Sequence, residues 1–154
     1  MKKDMFSLRG KVTVITGGNQ GIGKVVSAYL ADAGSDIVIF DLADATSVAR
    51  EISEEFGVRA EAFICDVTNP EEVERCIAEA DKKMGALDFL FNNAGICLHK
   101  DALDCAPNDW LKVVNVNLNG VYFMAQAFGR YLVSHEKTGN IVNTASMSGT
   151  IVNI

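Results

Sequence analysis

The sequence is short of the residues that build a metal centre, a disulfide scaffold or a nucleic-acid surface. It has two histidines, His99 and His135, and neither falls in a spaced set with cysteines or carboxylates, although His99-Lys100-Asp101 share one loop. A metal site is therefore not expected. The four cysteines, Cys65, Cys76, Cys97 and Cys105, include no Cys-x-x-Cys spacing, so reduced thiols, most of them in the core, are expected in place of disulfides. Lys plus Arg number 14 against 20 Asp plus Glu, a net charge of −6, and no stretch gathers enough basic residues to neutralise a run of phosphates. Nucleic acid is not an expected partner. No uninterrupted apolar run approaches the roughly 20 residues that cross a bilayer, and Met1-Lys2-Lys3-Asp4-Met5 leads into no apolar signal segment, which points to a cytoplasmic protein with no membrane partner.

What is present is the composition of an ordinary globular domain: 154 residues, 49% apolar, 22% charged and 8% aromatic. A disordered, collagenous or low-complexity chain is excluded. At roughly 100–200 residues per domain, the length allows one core and no separate second domain.

Apolar runs of strand length alternate with stretches of helical period, the pattern of βαβ units on a parallel sheet. Val12–Ile15, Asp36–Phe40, Ala62–Cys65, Asp88–Phe91 and Asn140–Asn143 are short and rich in branched or aromatic residues, as strands buried on both faces should be. A doubly wound, Rossmann-like α/β sheet of about five strands, in three layers, is expected. Between the strands, Ile22, Val25, Val26, Tyr29, Leu30 and Ala33 repeat at helical spacing before a stop at Gly34. A second helix turns Val48, Ile52 and Phe56 inward and stops at Gly57. The third is the best marked, with Asn69 to cap it, Pro70 in its first position, Glu71 and Glu72 at the positive dipole end, and Val73, Cys76, Ile77 and Ala80 facing the sheet. Trp110, Val113 and Val114 mark a short helix in which Trp110 is read as packing. Leu118, Val121, Tyr122, Ala125, Phe128 and Leu132 mark a longer one with Asn117 at its start.

Thr16-Gly17-Gly18-Asn19-Gln20-Gly21-Ile22-Gly23 joins the first strand to the first helix, and its glycines let the backbone pass close to a pyrophosphate while helix N–H groups point at the charge. The spacing is Gly-x-x-x-Gly-x-Gly, not the Gly-x-Gly-x-x-Gly of the common dinucleotide fingerprint, and the alternative is a tight strand-to-helix turn with no ligand. Asp41 ends the second strand 18 residues after Gly23, where a carboxylate accepts hydrogen bonds from both ribose hydroxyls of an adenosine and repels a 2′-phosphate. Leu42, Ala43 and Asp44 offer no compensating cation, so NAD is favoured over NADP; the alternative is that Asp41 caps the next helix. Asn92-Asn93-Ala94-Gly95 closes the fourth strand at the carboxyl edge of the sheet, where open α/β folds bind ligands.

Together, the Gly-x-x-x-Gly-x-Gly loop and Asn92-Asn93-Ala94-Gly95 make the chain resemble the short-chain dehydrogenase/reductase family from about Leu8 to Ile154. That resemblance implies roles for further residues. Asp66 and Val67 look like the family's acidic-apolar pair at the adenine, with a capping aspartate as the alternative. Asn93 resembles the asparagine that contacts the cofactor or stabilises the central strand. Asn117 matches the catalytic asparagine of a helix kink, with Asn115 and Asn119 two positions to either side. Ser146 matches the serine that hydrogen-bonds the substrate carbonyl or hydroxyl, with Ser148 as its neighbour.

The implied reaction is hydride transfer between a nicotinamide and the secondary alcohol or carbonyl of a small molecule. The run from Ala145 to Gly149, followed by Ile151-Val152-Asn153, looks like the family's sugar-alcohol branch, and Cys97, His99 and Met147 are candidates for the pocket mouth. The family's Tyr-x-x-x-Lys is missing: none of Tyr29, Tyr122 and Tyr131 has a lysine four residues on. A truncated chain, inactive alone, is therefore expected, the first part of a protein that forms a dimer or tetramer. It should leave the Ile141 strand as an open edge and apolar surface on the Asn117 helix uncovered.

Overall fold

A computed structural model describes residues 5–147, so the alternative candidate Ser148 and the run Ile151-Val152-Asn153 lie outside the described residues. Five strands, β1 (Val12–Thr16), β2 (Asp36–Asp41), β3 (Ala60–Ile64), β4 (Phe89–Asn92) and β5 (Asn140–Asn143), form one sheet in the order β3-β2-β1-β4-β5. Every pairing is parallel, with Val14 opposite Val38 on one side and Leu90 on the other. Residue alternation along the strands divides the core. Val12, Val14, Val38 and Phe40 point to one face, where α3 (Pro70–Met84) and α5 (Val121–Ser134) cover them. Ile15, Ile37 and Ile39 point to the other, beneath α1 (Gly21–Asp32) and α2 (Thr46–Phe56). Burying side chains of this size stabilises the fold by roughly 1.5–3 kcal/mol each, which is why a short sheet can hold its edge loops in place.

Two helix stops, Gly34 and Gly57, and the Asn69 cap fall where the sequence puts them: both glycines adopt positive φ at helix ends, and Asn69 Oδ1 accepts the N–H groups of Glu71 and Glu72 at the start of α3, which ends on a further left-handed glycine, Gly85. Three helix faces differ from the expectation. In α1 the buried stripe is Gly23, Ser27 and Ala31, while Ile22, Val25 and Tyr29 are exposed. The cause is close approach: a Cβ on Gly23 would lie 2.1 Å from the Gly17 carbonyl oxygen, so small residues face the sheet and large ones turn outward. Trp110, on α4 (Pro107–Val114), is 64% exposed and packs into no core. Leu118 and Tyr122 are exposed as well; α5 buries Phe128 and Leu132 as expected, together with Met124, Ala127 and Tyr131. The strand β3 begins and ends earlier than expected, because Ala60 pairs with Ile37 and Ile64 with Asp41.

Of the thiols, only Cys65 and Cys76 are in the core; Cys97 is exposed and Cys105 half-buried, so the expectation of mostly core cysteines is corrected. Tyr131 locks α5 to its neighbours by donating to Asp81 Oδ1 at 2.6 Å and accepting the Leu87 N–H at 3.1 Å. Burial and the Asp81 carboxylate push its phenol up to about 12. Strand β5 is the sheet's edge, with Ile141 and Val142 exposed. Among the described residues, no helix is long and apolar enough to cross a membrane.

Candidate active site

The segments that follow β1, β2, β3 and β4 converge on a cleft of about 400 Å³ at the carboxyl edge of the sheet. The chain reverses its direction of winding between β1 and β4, the point where open parallel sheets receive ligands. Ten of the residues singled out in the sequence line this cleft: Gly17, Gln20, Gly21, Ile22, Asp41, Asp66, Val67, Asn93, Ala94 and Gly95.

The glycine loop forms the floor. Gly17 has φ +67°, and a Cβ there would meet the Ala94 backbone at 3.0 Å, so only glycine satisfies both the turn and the contact. Gly21 also has positive φ, and space is open above it. No side chain caps the first turn of α1, whose N-cap is Gln20, and Gln20, Gly21 and Ile22 at that helix start line the cleft. Asn19 does not line the cleft but supports Asp41, which does: its N–H donates to Asp41 Oδ2 at 3.1 Å. Gly23 is buried beneath the loop and acts through packing.

Asp41 caps no helix. Its other oxygen accepts the Ala43 N–H at 3.0 Å, and each carboxylate oxygen keeps accepting capacity toward the cleft. Asp66 accepts the N–H and the hydroxyl of Thr68, at 2.9 and 2.7 Å, while Asn69 performs the capping. Val67 packs against Gly120, where a Cβ would come within 2.8 Å of it.

Asn93 and its neighbours are held by a residue whose role the sequence did not announce. The buried Thr16 hydroxyl accepts the N–H groups of both Asn93 and Ala94, each at 2.9 Å. Asn93 Nδ2 returns a bond to the Thr16 carbonyl at 3.1 Å, so β1 and β4 exchange hydrogen bonds beyond their ladder. The one signal for this was position: a hydroxyl at the last residue of a strand that opens the glycine loop. Asn92, also buried, donates to the Val121 carbonyl at 2.8 Å and ties β4 to α5.

Asn117 sits in a π-helical segment, Asn115–Gly120, between α4 and α5. Its amide grips the Ile96 backbone at both ends, accepting the N–H and donating to the carbonyl, each at 2.8 Å. Asn119 instead donates to Asn115 within the same segment, which separates the three candidates: Asn117 is the one that reaches the cleft wall. Ser146 is exposed on the segment after β5, and Thr144 just before it donates to Asn93 Oδ1 at 3.3 Å. No group of three or more metal-ligating side chains occurs among the described residues.

Residues 11–154 match the family model described as short chain dehydrogenase. The chain belongs to this family. The short-chain dehydrogenases to which it is similar include a sorbose reductase of Candida albicans, 40% identical over 98% of this chain and 54% of that protein. A probable NADP-dependent mannitol dehydrogenase of Yarrowia lipolytica is also 40% identical, over 98% of this chain and 55% of its own length. Among solved structures, a short-chain type dehydrogenase/reductase from Mycobacterium marinum superimposes with a TM-score of 0.93 at 36% identity, covering 98% of this chain and 62% of that one. An NAD+-bound xylitol dehydrogenase superimposes at 0.88 with 32% identity, covering 94% and 56%. The chain thus spans little more than half the length of the relatives it matches.

Proposed function

We propose that these residues are the dinucleotide-binding part of an NAD-dependent short-chain dehydrogenase that interconverts a secondary alcohol and a carbonyl on a small polyol or sugar. The observation that carries this reading is the pairing of an uncapped α1 N-terminus and glycine floor with the Asp41 carboxylate in one cleft. The first suits a pyrophosphate and the second a ribose diol. A 2′-phosphate would face the Asp41 charge with Leu42, Ala43 and Asp44 as its sequence neighbours, which favours NAD. Asp66 and Val67 would flank the adenine, and Asn93, Ala94 and Gly95 would lie along the nicotinamide half.

The bound cofactor supplies the hydride chemistry. The chain's own part is to orient it, with Asn117 as a candidate for the proton path and Ser146 for the substrate oxygen. The family's tyrosine and lysine have no counterpart among Tyr29, Tyr122 and Tyr131, so the 154 residues alone are read as inactive, and activity as belonging to a longer, cytoplasmic protein. The exposed Leu118 and Tyr122 suit a homo-oligomer in that protein. Polyols and sugars are favoured because the sorbose and mannitol enzymes are among the relatives.

The test is an extended version that carries Tyr-x-x-x-Lys, assayed for NADH oxidation with ketoses and for NAD reduction with polyols. Turnover with either class supports the reading. A protein that binds NADH yet turns over neither class, while reducing other carbonyls, overturns the substrate assignment.

A further inference from the structure

Cys97 and His99, expected as candidates for the pocket mouth, do not line the cleft, and the function proposed above uses neither. Cys97 Sγ lies 3.7 Å from His99 Nε2, and both residues are exposed. The stretch that carries them is anchored at each end. Ile96 is held by the two Asn117 hydrogen bonds, and Lys100 Nζ is paired with Asp109 Oδ2 of α4 at 2.5 Å. Cys97 and His99 therefore face each other across a short span whose two ends are fixed. The other thiols differ: Cys65 and Cys76 are buried, and Cys105 Sγ turns to its neighbour's carbonyl, Ala106 O, at 3.8 Å.

We propose that Cys97 is a thiol-modification site, served by His99 as proton acceptor, that reacts with low-molecular-weight disulfides. The thiol proton passes to His99 Nε2, in the tautomer that carries hydrogen at Nδ1, and the sulfur attacks one sulfur of the disulfide. A new S–S bond forms and the old one breaks. The departing sulfur takes the proton back from the imidazolium, so Cys97 is oxidised and the reagent is reduced to one free thiol. The adduct stands on the residue next to Ile96, which lines the cleft.

The experiment exposes the 154-residue chain to oxidised glutathione, quenches with acid at intervals, and reads the occupancy of each cysteine by peptide mass spectrometry. Cys97 is expected to take up glutathione on the order of tenfold faster than Cys105, with Cys65 and Cys76 protected, and to release it on addition of dithiothreitol. His99→Ala should lower the Cys97 rate on the order of tenfold and leave Cys105 unchanged. His99→Gln, which keeps a hydrogen-bonding group but takes up no proton, should behave like His99→Ala. Equal rates at Cys97 and Cys105, equal labelling of all four thiols, or a parent-like Cys97 rate in His99→Gln each overturns the proposal.

Discussion

Asn117 and Ile96 are joined by two reciprocal hydrogen bonds of 2.8 Å, so a side chain from a π-helical turn fixes the backbone of a loop that has no secondary structure of its own. A π segment places its side chains off the ordinary helical rows, and π-bulges are frequent at functional sites. Here the displacement lets one amide meet both the N–H and the C=O of a single residue. The Ile96 side of the cleft is thereby held although Ile96 itself belongs to no strand or helix.

Asn117→Ala should free that wall. Two exposed hydrogen bonds contribute about 1 kcal/mol together, so the fold should persist while the Ile96 amide exchanges with solvent several-fold faster. Amide hydrogen exchange reads this directly, and unchanged protection at Ile96 would show that the loop is held by other contacts.

Asp41→Asn should weaken NADH binding by about tenfold, roughly 1.4 kcal/mol, and bring NADPH closer to NADH in affinity. Both effects follow from removing a charge that accepts from a ribose diol and opposes a 2′-phosphate. Parallel fluorescence titrations of the two reduced cofactors check it; an unchanged ratio would remove Asp41 from cofactor choice.

Gly23→Ala should destabilise the chain by roughly 3 kcal/mol and abolish dinucleotide binding, because the added Cβ meets the Gly17 carbonyl oxygen at 2.1 Å and backbone has to shift. Urea unfolding measures the first effect. Gly21→Ala is the informative contrast, since nothing lies within 4 Å of its Cβ and only its positive φ of +55° opposes the change. A smaller loss, about 1 kcal/mol, is expected there.

That contrast also marks how far the sequence could be read. Asn69, Gly57 and Asp41 act through local chemistry, a cap, a left-handed stop and a strand-end carboxylate, and each stands where its residue type and neighbours place it. The α1 face was not legible, because Ile22, Val25 and Tyr29 repeat as a core stripe would. The deciding fact is a tertiary contact between Gly23 and Gly17 that no helical period reports. Thr16 was hidden for the same reason: its two acceptor bonds run to residues 77 and 78 positions away. Trp110 is exposed against expectation because apolar neighbours at helical spacing do not reveal whether a second layer covers them.

Asp88 should govern the acid limb of stability. Burial pushes its carboxyl up, but the Val12 N–H together with Lys137 and Lys11 outweighs burial and holds it below the usual carboxylate range. A carboxyl lowered in the folded state favours folding at every pH above its unfolded value near 4, and that contribution drains away as pH falls below it through the lowered folded value. The urea midpoint of the parent should therefore drop below about pH 4 more steeply than that of Asp88→Asn, which starts lower at neutral pH because Lys11 and Lys137 lose their shared partner. Parallel acid limbs in the two proteins would show that other carboxylates dominate.

The most direct test of the central claim is calorimetric titration of the 154-residue chain with NADH and, in a matched run, with NADPH. A cleft lined by both the α1 N-terminus and Asp41 predicts saturable binding of one NADH per chain and clearly weaker binding of NADPH. No saturable heat with NADH, or equal affinity for the two, would contradict it.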